Sequence, residues 1–396
     1  MTPQYSDVLV VGGGPAGATA AWRAAALGAS VCCLDKAQFP RDKPCGDGLT
    51  PHAIQLISTM GLEDDLKKFH RVDRIKIVTK AAWDVRWPER VEKPNYGYVA
   101  RRLDLDEMLL QCAASTGVRV EQNTEFVSPI TEGNQVVGVI ARHGDKEQEY
   151  RAKVVIGADG AHSRVKRSLG IASDSGLVVI AIRAEMSTEA KESTTLEAHL
   201  LEYYGDHIPG YGWVFPMGGG RVNIGVGYLT NYRGSRGINA RELFDKFKCQ
   251  LPADWKLPDT EQLLRSKALQ AWRLPMAFTT RPPWRPGLLL AGDAAGVAKP
   301  ASGAGISRSI ASGMLAAEVA VDALDTTGPT DLSRYDKVLR QRWGRSYGFF
   351  REVLRLGGNP RMIGLGLRTC DNAFMRQVLL RGCYGRAGAT MDYRDV

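Results

Sequence analysis

Apolar residues arrive along this chain in two kinds of run, and each kind predicts a different element. Asp7-Val-Leu-Val-Val-Gly12 is short, β-branched and uninterrupted, the pattern of a parallel strand buried on both faces. Val154-Val-Ile-Gly-Ala-Asp159-Gly160 and Leu288-Leu-Leu-Ala-Gly292-Asp293 repeat that plan, each closing on a Gly-Asp turn. Tyr211-Gly-Trp213-Val-Phe215-Pro216 alternates instead, which sends three rings to one face of a strand. After Gly218-Gly-Gly220 the run Val222-Asn-Ile-Gly225-Val-Gly227 returns, so a hairpin is predicted. The Ala-rich stretch Ala18–Leu27 reads as a helix leading to a second strand, Ala29–Leu34, and the chain from Leu332 onward reads mostly as helical. Together these predict an α/β fold in three parts. A split Rossmann-like domain takes residues 1–75, 100–175 and 280–325, and a second, mainly antiparallel β-sheet domain takes 76–99 and 176–279. A helical C-terminal region, 326–396, completes the chain.

Punctuation between the first strand and helix carries the first chemistry. Gly12-Gly-Gly14-Pro-Ala16-Gly17 permits a tight turn at Gly12, backbone approach to a pyrophosphate at Gly14 and close helix–strand packing at Gly17. The helix N-terminus then faces the phosphates with free N–H groups. Asp35, ending the second strand, has the spacing of a carboxylate that accepts hydrogen bonds from an unphosphorylated ribose. NAD and FAD both satisfy this half. The later Gly-Asp turns suit a ribityl chain, since each aims a carboxylate at a hydroxyl while the segment after it offers N–H groups.

The glycine turn, Gly157-Ala-Asp159-Gly160 and Gly292-Asp293 together resemble the FAD-dependent aromatic hydroxylase superfamily over most of residues 1–325. That resemblance implies FAD as the cofactor, with Asp293 on the ribitol and Asp159 shaping the cleft. Gly303-Ala304-Gly305-Ile306 would then open a helix pointing at the flavin ring. Arg102, four residues before Asp106 on a helix, matches the superfamily's cofactor-binding arginine, and a guanidinium suits a phosphate or ribityl oxygen.

Two more segments, Phe39-Pro-Arg-Asp-Lys-Pro-Cys45-Gly46-Asp-Gly48 and the aromatic hairpin, are similar to those of the geranylgeranyl reductase family, whose members saturate prenyl double bonds. The likeness implies Cys45 and the Gly46 and Gly48 backbone beside the flavin, with Cys45 as a ring contact or proton donor. It also implies Tyr211 and Trp213 lining the path of a long apolar chain, and leaves Phe215 in the core. Hydride would pass from reduced flavin to one alkene carbon and a proton to the other, a reaction that needs a dry, positioned site. The string Lys299-Pro-Ala-Ser-Gly303-Ala304-Gly305 departs from the family's Asn-Pro-hydrophobic-Thr-Gly-Glu-Gly. It places a cation at 299 and no carboxylate at 304, so a flavin monooxygenase acting on a prenylated or polycyclic substrate stays open as a second reading. Electron transfer to a quinone is a third.

Bulk properties trim the alternatives. At 396 residues and 44% hydrophobic, the chain can bury two units' worth of core, and no flexible linker or repeat divides it. Seven cysteines without CxxC pairs argue against a disulfide framework and a zinc site, and the six histidines show no ligand-like spacing. A net charge of +9 favours an anionic partner, such as a phosphorylated substrate, an acidic lipid surface or an acidic electron carrier, or marks a merely basic protein. The dispersed cations exclude nucleic acid. No signal peptide or membrane-spanning run is read, so a cytoplasmic protein is expected, with a peripheral membrane contact open through the Arg- and aromatic-rich stretch from Arg340 to Arg381. Packing of that stretch on the first domain is the preferred reading. No second dinucleotide domain is visible, so the external reductant is expected to be NAD(P)H docking transiently or a reduced electron-carrier protein.

Overall fold

The computed structural model describes residues 3–78, 82–87, 94–172, 177–203, 205–232, 234–259, 268–300, 302–325 and 330–356. The uninterrupted apolar runs form the middle of an eight-stranded sheet. β1 (Gln4–Val11) lies between β2 (Val31–Leu34) and the strand Lys146–Gly157, parallel to both, and Leu288–Leu290 adds in parallel beyond Lys146–Gly157. Val8 aligns with Val31 on one side and Val154 on the other. None of these central side chains reaches solvent, as a β-branched run without polar alternation requires. The helix α1 (Pro15–Ala26) and the helix Ile306–Asp325 pack on each other and on this sheet. Thr124–Glu132 and Gln135–His143 branch from it as an antiparallel pair.

The alternating runs form a seven-stranded sheet with the order Gln270–Pro275, Val178–Ser187, Arg221–Leu229, Asp206–Gly218, Thr195–Tyr203, Arg74–Val78, Ala82–Arg86. All its pairings are antiparallel except that of Thr195–Tyr203 with Arg74–Val78. Its outer face carries Val222, Ile224 and Val226, packed against Leu243, Phe244 and Phe247 of the helix Ala240–Gln250. Burying each such side chain contributes roughly 1.5–3 kcal/mol. Asn239 opens that helix by accepting hydrogen bonds from the Arg241 and Glu242 N–H groups. The opposite face carries Trp213 and Phe215, on which the loop at Gly46 rests.

Two features differ from the plain two-sheet expectation. Gly97–Val99 pairs with Gly48–Leu49 and His70–Val72 in a separate three-stranded sheet, because Val72 and Val99 bury against Ile75, Trp87 and Leu196 at the junction. After Ser333–Leu339 the helical C-terminal stretch passes through a π-helical turn, Arg340–Gly344, into Arg345–Leu356. Trp343 and Tyr347 pack on Phe278, and the Tyr347 hydroxyl donates to the Val297 carbonyl at 2.6 Å. This part of the stretch therefore packs on the first unit, while Phe349 remains exposed. Positions 357–396 lie outside the described residues. Among the described residues no helix is long and apolar enough to cross a membrane.

Candidate cofactor and active site

The turn after β1 is built for close approach. Gly12 has a φ of +107°, and a Cβ there would stand 2.4 Å from the Ala158 carbonyl oxygen. A Cβ on Gly17 would stand 1.7 Å from the Gly12 oxygen, so α1 can press on β1 only with glycine there. Ala16 is buried at the same crossing. Gly14 is the N-cap of α1 and supplies no side-chain cap, which leaves the helix N-terminus open for an anion. Asp35 accepts from the Gly13 N–H at 2.6 Å with one oxygen and from the Ala37 N–H at 2.8 Å with the other, joining the ends of β1 and β2. A carboxylate has roughly four acceptor sites, so two remain for ribose hydroxyls.

Two guanidinium groups flank this N-terminus. Measured from where a Gly14 Cβ would be, Arg41 Nη2 lies at 3.3 Å and Arg102 Nη2 at 3.8 Å. Arg102 holds Asp106 bidentately, with Nε to Oδ1 and Nη2 to Oδ2 both at 2.6 Å, and Arg41 Nη1 reaches the same Oδ2 at 2.7 Å. Asp106 and Arg102 are buried. Glycine turn, open helix end and paired arginines fit the diphosphate of a dinucleotide such as FAD, whose charge matches both the cations and the dipole.

The two Gly-Asp turns differ. Asp159 spends Oδ2 on the Arg164 and Val165 N–H groups at 2.6 and 3.1 Å, capping the short helix Arg164–Ser168, and burial pushes its pKa up. Asp293 instead accepts from Lys43 Nζ at 3.0 Å. Its other oxygen lies 3.9 Å from where a Gly305 Cβ would be, so the Asp293 turn and the 299–305 loop meet. That loop closes on itself, Gly303 N–H to Lys299 O at 2.9 Å and Lys299 N–H to Ala304 O at 3.2 Å, and leads directly into the helix that starts at Ile306. Lys43 also lies 5.6 Å over the Trp272 ring, so it reaches from the Phe39–Cys45 segment to both sheets.

The aromatic hairpin packs against the Cys45–Gly48 and 299–305 loops. Tyr211, Trp213 and Phe215 share one face, with centroids 6.1 and 6.3 Å apart, and pair with Gly227, Gly225 and Asn223 of the returning strand. A Cβ on Gly225 would come within 2.2 Å of the Trp213 ring, so this glycine is the seat on which the indole lies. Trp213 is accordingly buried and Phe215 only half-buried, the reverse of the depth expected from the sequence. The Tyr211 tip reaches the 299–305 loop, and the Trp213 tip reaches the returning strand. The Tyr211 hydroxyl donates to the Ser302 carbonyl at 2.8 Å, and Trp213 Nε1 donates to Asn223 Oδ1 at 2.9 Å.

Asn223 then donates to the Cys45 carbonyl and to Asp47 Oδ2, both at 2.8 Å. The Cys45–Gly48 loop is thereby bolted to the hairpin, and a Cβ on Gly46 would lie 3.3 Å from both the Trp213 and the Phe215 rings. Cys45 is half-buried, and burial, seconded by the nearby Asp47 charge, raises its thiol pKa. Asp47 has a φ of +62° and no solvent exposure, and burial lifts its carboxyl to about 7. Beside it Arg183, also buried, bonds Glu185 at 2.8 Å and both oxygens of Asp42 at 3.2 Å.

The expected residues thus fall in two neighbouring groups. Gly12, Gly14, Ala16, Gly17, Asp35 and Arg102 gather around the start of α1, and Cys45, Gly46, Gly48, Tyr211, Trp213, Asp293 and the 303–306 segment converge where the hairpin meets the Cys45–Gly48 and 299–305 loops. Asp159 serves as a helix cap. Arg41, Lys43, Asp47, Arg183 and Asn223 escaped the sequence reading. The one available signal was polar residues at odd places: Asn223 inside an apolar strand, and Asp47 between two glycines. Among the described residues no cluster of candidate ligands could hold a metal ion.

Comparison with known proteins fits this geometry. The family described as FAD binding domain matches residues 5–342. A menaquinone reductase from Mycobacterium tuberculosis is 34% identical over 364 residues, covering 90% of this chain and 85% of the relative. A digeranylgeranylglycerophospholipid reductase from Thermoplasma acidophilum is 30% identical over 359 residues, covering 86% and 85%. Among solved structures, a geranylgeranyl bacteriochlorophyll reductase-like protein from Thermoplasma acidophilum superposes with a TM-score of 0.79 at 25% identity, over 100% of this chain and 95% of that one. A flavin-dependent brominase superposes with a TM-score of 0.75 at 20% identity, covering 96% and 94%, a likeness of fold alone.

Proposed function

This chain belongs to the FAD-binding-domain family and, within it, to the geranylgeranyl reductase group of FAD-dependent oxidoreductases, and we propose that it reduces carbon–carbon double bonds of a prenyl chain. The observation that carries the reading is the double tie of the aromatic hairpin to the loops at Cys45–Gly48 and 299–305. It brings an apolar sheet face against the loops where the resemblance puts the flavin, and excluding water there is what hydride transfer to an unactivated alkene needs.

FAD, when bound, supplies the hydride. The remaining work belongs to the chain. The α1 N-terminus, Arg41 and Arg102 hold the diphosphate, Asp35 the adenosine ribose, and Asp293 with the 303–306 segment the ribityl and ring end. Tyr211 and the half-buried face beside it guide the apolar chain, while Trp213 works mainly as the platform under the Cys45 loop. The Cys45 thiol, kept protonated by its surroundings, stands as the proton donor. The substrate is an apolar lipid or quinone with a prenyl tail, and the reductant is NAD(P)H or a reduced carrier protein that docks from outside.

Lys299 and Ala304 favour one second reading, oxygen transfer to a prenylated or polycyclic substrate. One assay separates the two. The flavoprotein is reduced anaerobically with dithionite and offered prenyl diphosphates and prenylated quinones, and products are weighed before and after air is admitted. A gain of two hydrogens without oxygen is expected. A gain of one oxygen, only with air, would move the protein to the monooxygenases.

A further inference from the structure

Alkene reduction consumes a proton for every hydride, and a dry site must store it. The Cys45 thiol can give one proton, but a thiolate left in a buried loop has to be recharged before the next turnover. Beside it lies a buried carboxyl of which only one oxygen has a structural partner. Asp47 is fully buried and holds the left-handed conformation that asparagine and glycine adopt more readily. Its Oδ2 accepts from Asn223, while Oδ1 is buried with no hydrogen-bond partner among the described residues. An orphaned oxygen of this kind calls for an explanation, and a protonated one is a donor waiting for an acceptor. Cys45 and Asp47 sit two residues apart in one loop, and Asn223 grips the Cys45 carbonyl and the Asp47 carboxyl with one amide. Acid and thiol are therefore held as one unit.

We propose that Asp47 is the proton store of this site, recharging the Cys45 thiol after each reduction. The inference rests on the prenyl reductase reading. With bound reduced FAD supplying the hydride for one alkene carbon, the Cys45 S–H would give its proton to the other. The resulting thiolate takes the proton of the Asp47 carboxyl, and the carboxylate recovers one from water. The substrate gains two hydrogens and the flavin leaves oxidised, so charge and atoms balance. Asp47 acts through Cys45 and is a positioning residue in this scheme. The charged groups facing it are Arg183 and Glu185 from the strand Val178–Ser187 and Arg102 from the helix Arg102–Ser115, with neutral Asn223 from the strand Arg221–Leu229. Arg183 and Arg102 favour the carboxylate, while Glu185 and burial oppose it. The group is thus poised to cycle near neutral pH.

Asp47→Asn is the informative variant, because asparagine suits the left-handed backbone and still accepts from Asn223 but carries no transferable proton. In the FAD-loaded protein it should cut multiple-turnover prenyl reduction at pH 7 at least tenfold, with flavin content and the rate of flavin reduction by dithionite unchanged. A single turnover, which needs only the proton already on Cys45, should fall less than threefold. Asp47→Glu should restore part of the loss. Independently of any substrate, infrared difference spectra between pH 6 and 8 should show a protonated-carboxyl band that Asp47→Asn lacks. Equal steady-state rates for wild type and Asp47→Asn, or no such band, would overturn the store. A wild type that reduces no prenyl substrate overturns the function and the relay with it, and the band still reports whether the buried acid exists.

Discussion

The glycine turn and the meeting point of hairpin and loops are made by different means. Around the glycine turn Gly12, Gly14 and Gly17 act through the backbone of one turn, Asp35 ties together the ends of two adjacent strands, and the Arg102–Asp106 ion pair is complete within four residues. Where the hairpin meets the loops, Cys45, Asp47, Asn223, Trp213 and Ser302 come from three distant segments and hold one another through side-chain hydrogen bonds. The first resembles a prefabricated socket. The second is an assembly whose parts become a site only when both sheets are folded and docked. Damage at the first should therefore cost stability and cofactor together, whereas damage at the second should uncouple chemistry from cofactor binding.

The largest expected effect tests the socket. Asp106→Ala leaves Arg102 buried without its partner and removes the anchor of Arg41, and breaking a buried pair in this way typically costs about 3–5 kcal/mol. Urea unfolding should show that loss, and dialysis should strip the flavin. A variant that kept its FAD and its unfolding midpoint would mean that the arginines do not depend on Asp106.

Next comes the acid of the assembled site, which predicts a pH dependence. The Asp47 carboxyl titrates at about 7 when folded against 3.8 in the open chain. The folded state therefore holds its proton more tightly, and this group's contribution to stability is full below pH 4 and declines as the pH rises toward 7. A shift of that size corresponds to at most about 4 kcal/mol. Asp47→Asn removes the dependence, so its melting temperature should exceed that of wild type at pH 8 and match it near pH 4. A variant less stable than wild type at pH 8 would make Asp47 a structural residue rather than one kept at the expense of stability.

Much of this contrast follows from what a sequence can carry. The socket was legible because glycine spacing, a strand-ending aspartate and an i,i+4 Arg–Asp pair are local signals, each with a geometric reason. The assembled site was legible only as separate segments. Alternation put Tyr211, Trp213 and Phe215 on one face, but their depth depends on the opposite strand: Gly225 opens a seat for Trp213, while Asn223 opposite Phe215 spends its side chain on Asp47 and Cys45. Nothing near Asn223 in the sequence announces a partner in the Cys45 loop, about 176 positions away. The same holds for Lys43 and Asp293, joined across 250 positions.

A smaller perturbation separates platform from lining. Trp213→Phe keeps a ring on Gly225 and removes only the N–H donated to Asn223, at about 1–3 kcal/mol for the buried acceptor left unpaired. If the indole serves as the bolt of the Cys45 loop, kcat should fall while KM for a prenyl substrate changes little. A rise in KM at constant kcat would restore Trp213 to the wall of the substrate path.

The smallest effect is expected from Ala304→Glu, which restores the family's carboxylate in the 299–305 loop. Ala304 is half-buried, and its carbonyl closes the loop on the Lys299 N–H, a backbone bond that a change of side chain does not remove. The added charge falls in the same loop as Lys299 and should leave stability within about 0.5 kcal/mol, as at most exposed or partly exposed positions. Chemistry is the sharper readout. If the reduction depends on the proton pair at Cys45 and Asp47, which belongs to a different loop, the product should remain a gain of two hydrogens and the rate should change less than tenfold. A variant that reduces prenyl chains when wild type only oxygenates them would place the choice of reaction at position 304. The assembled site would then be governed by one loop rather than by the bolt between the two sheets.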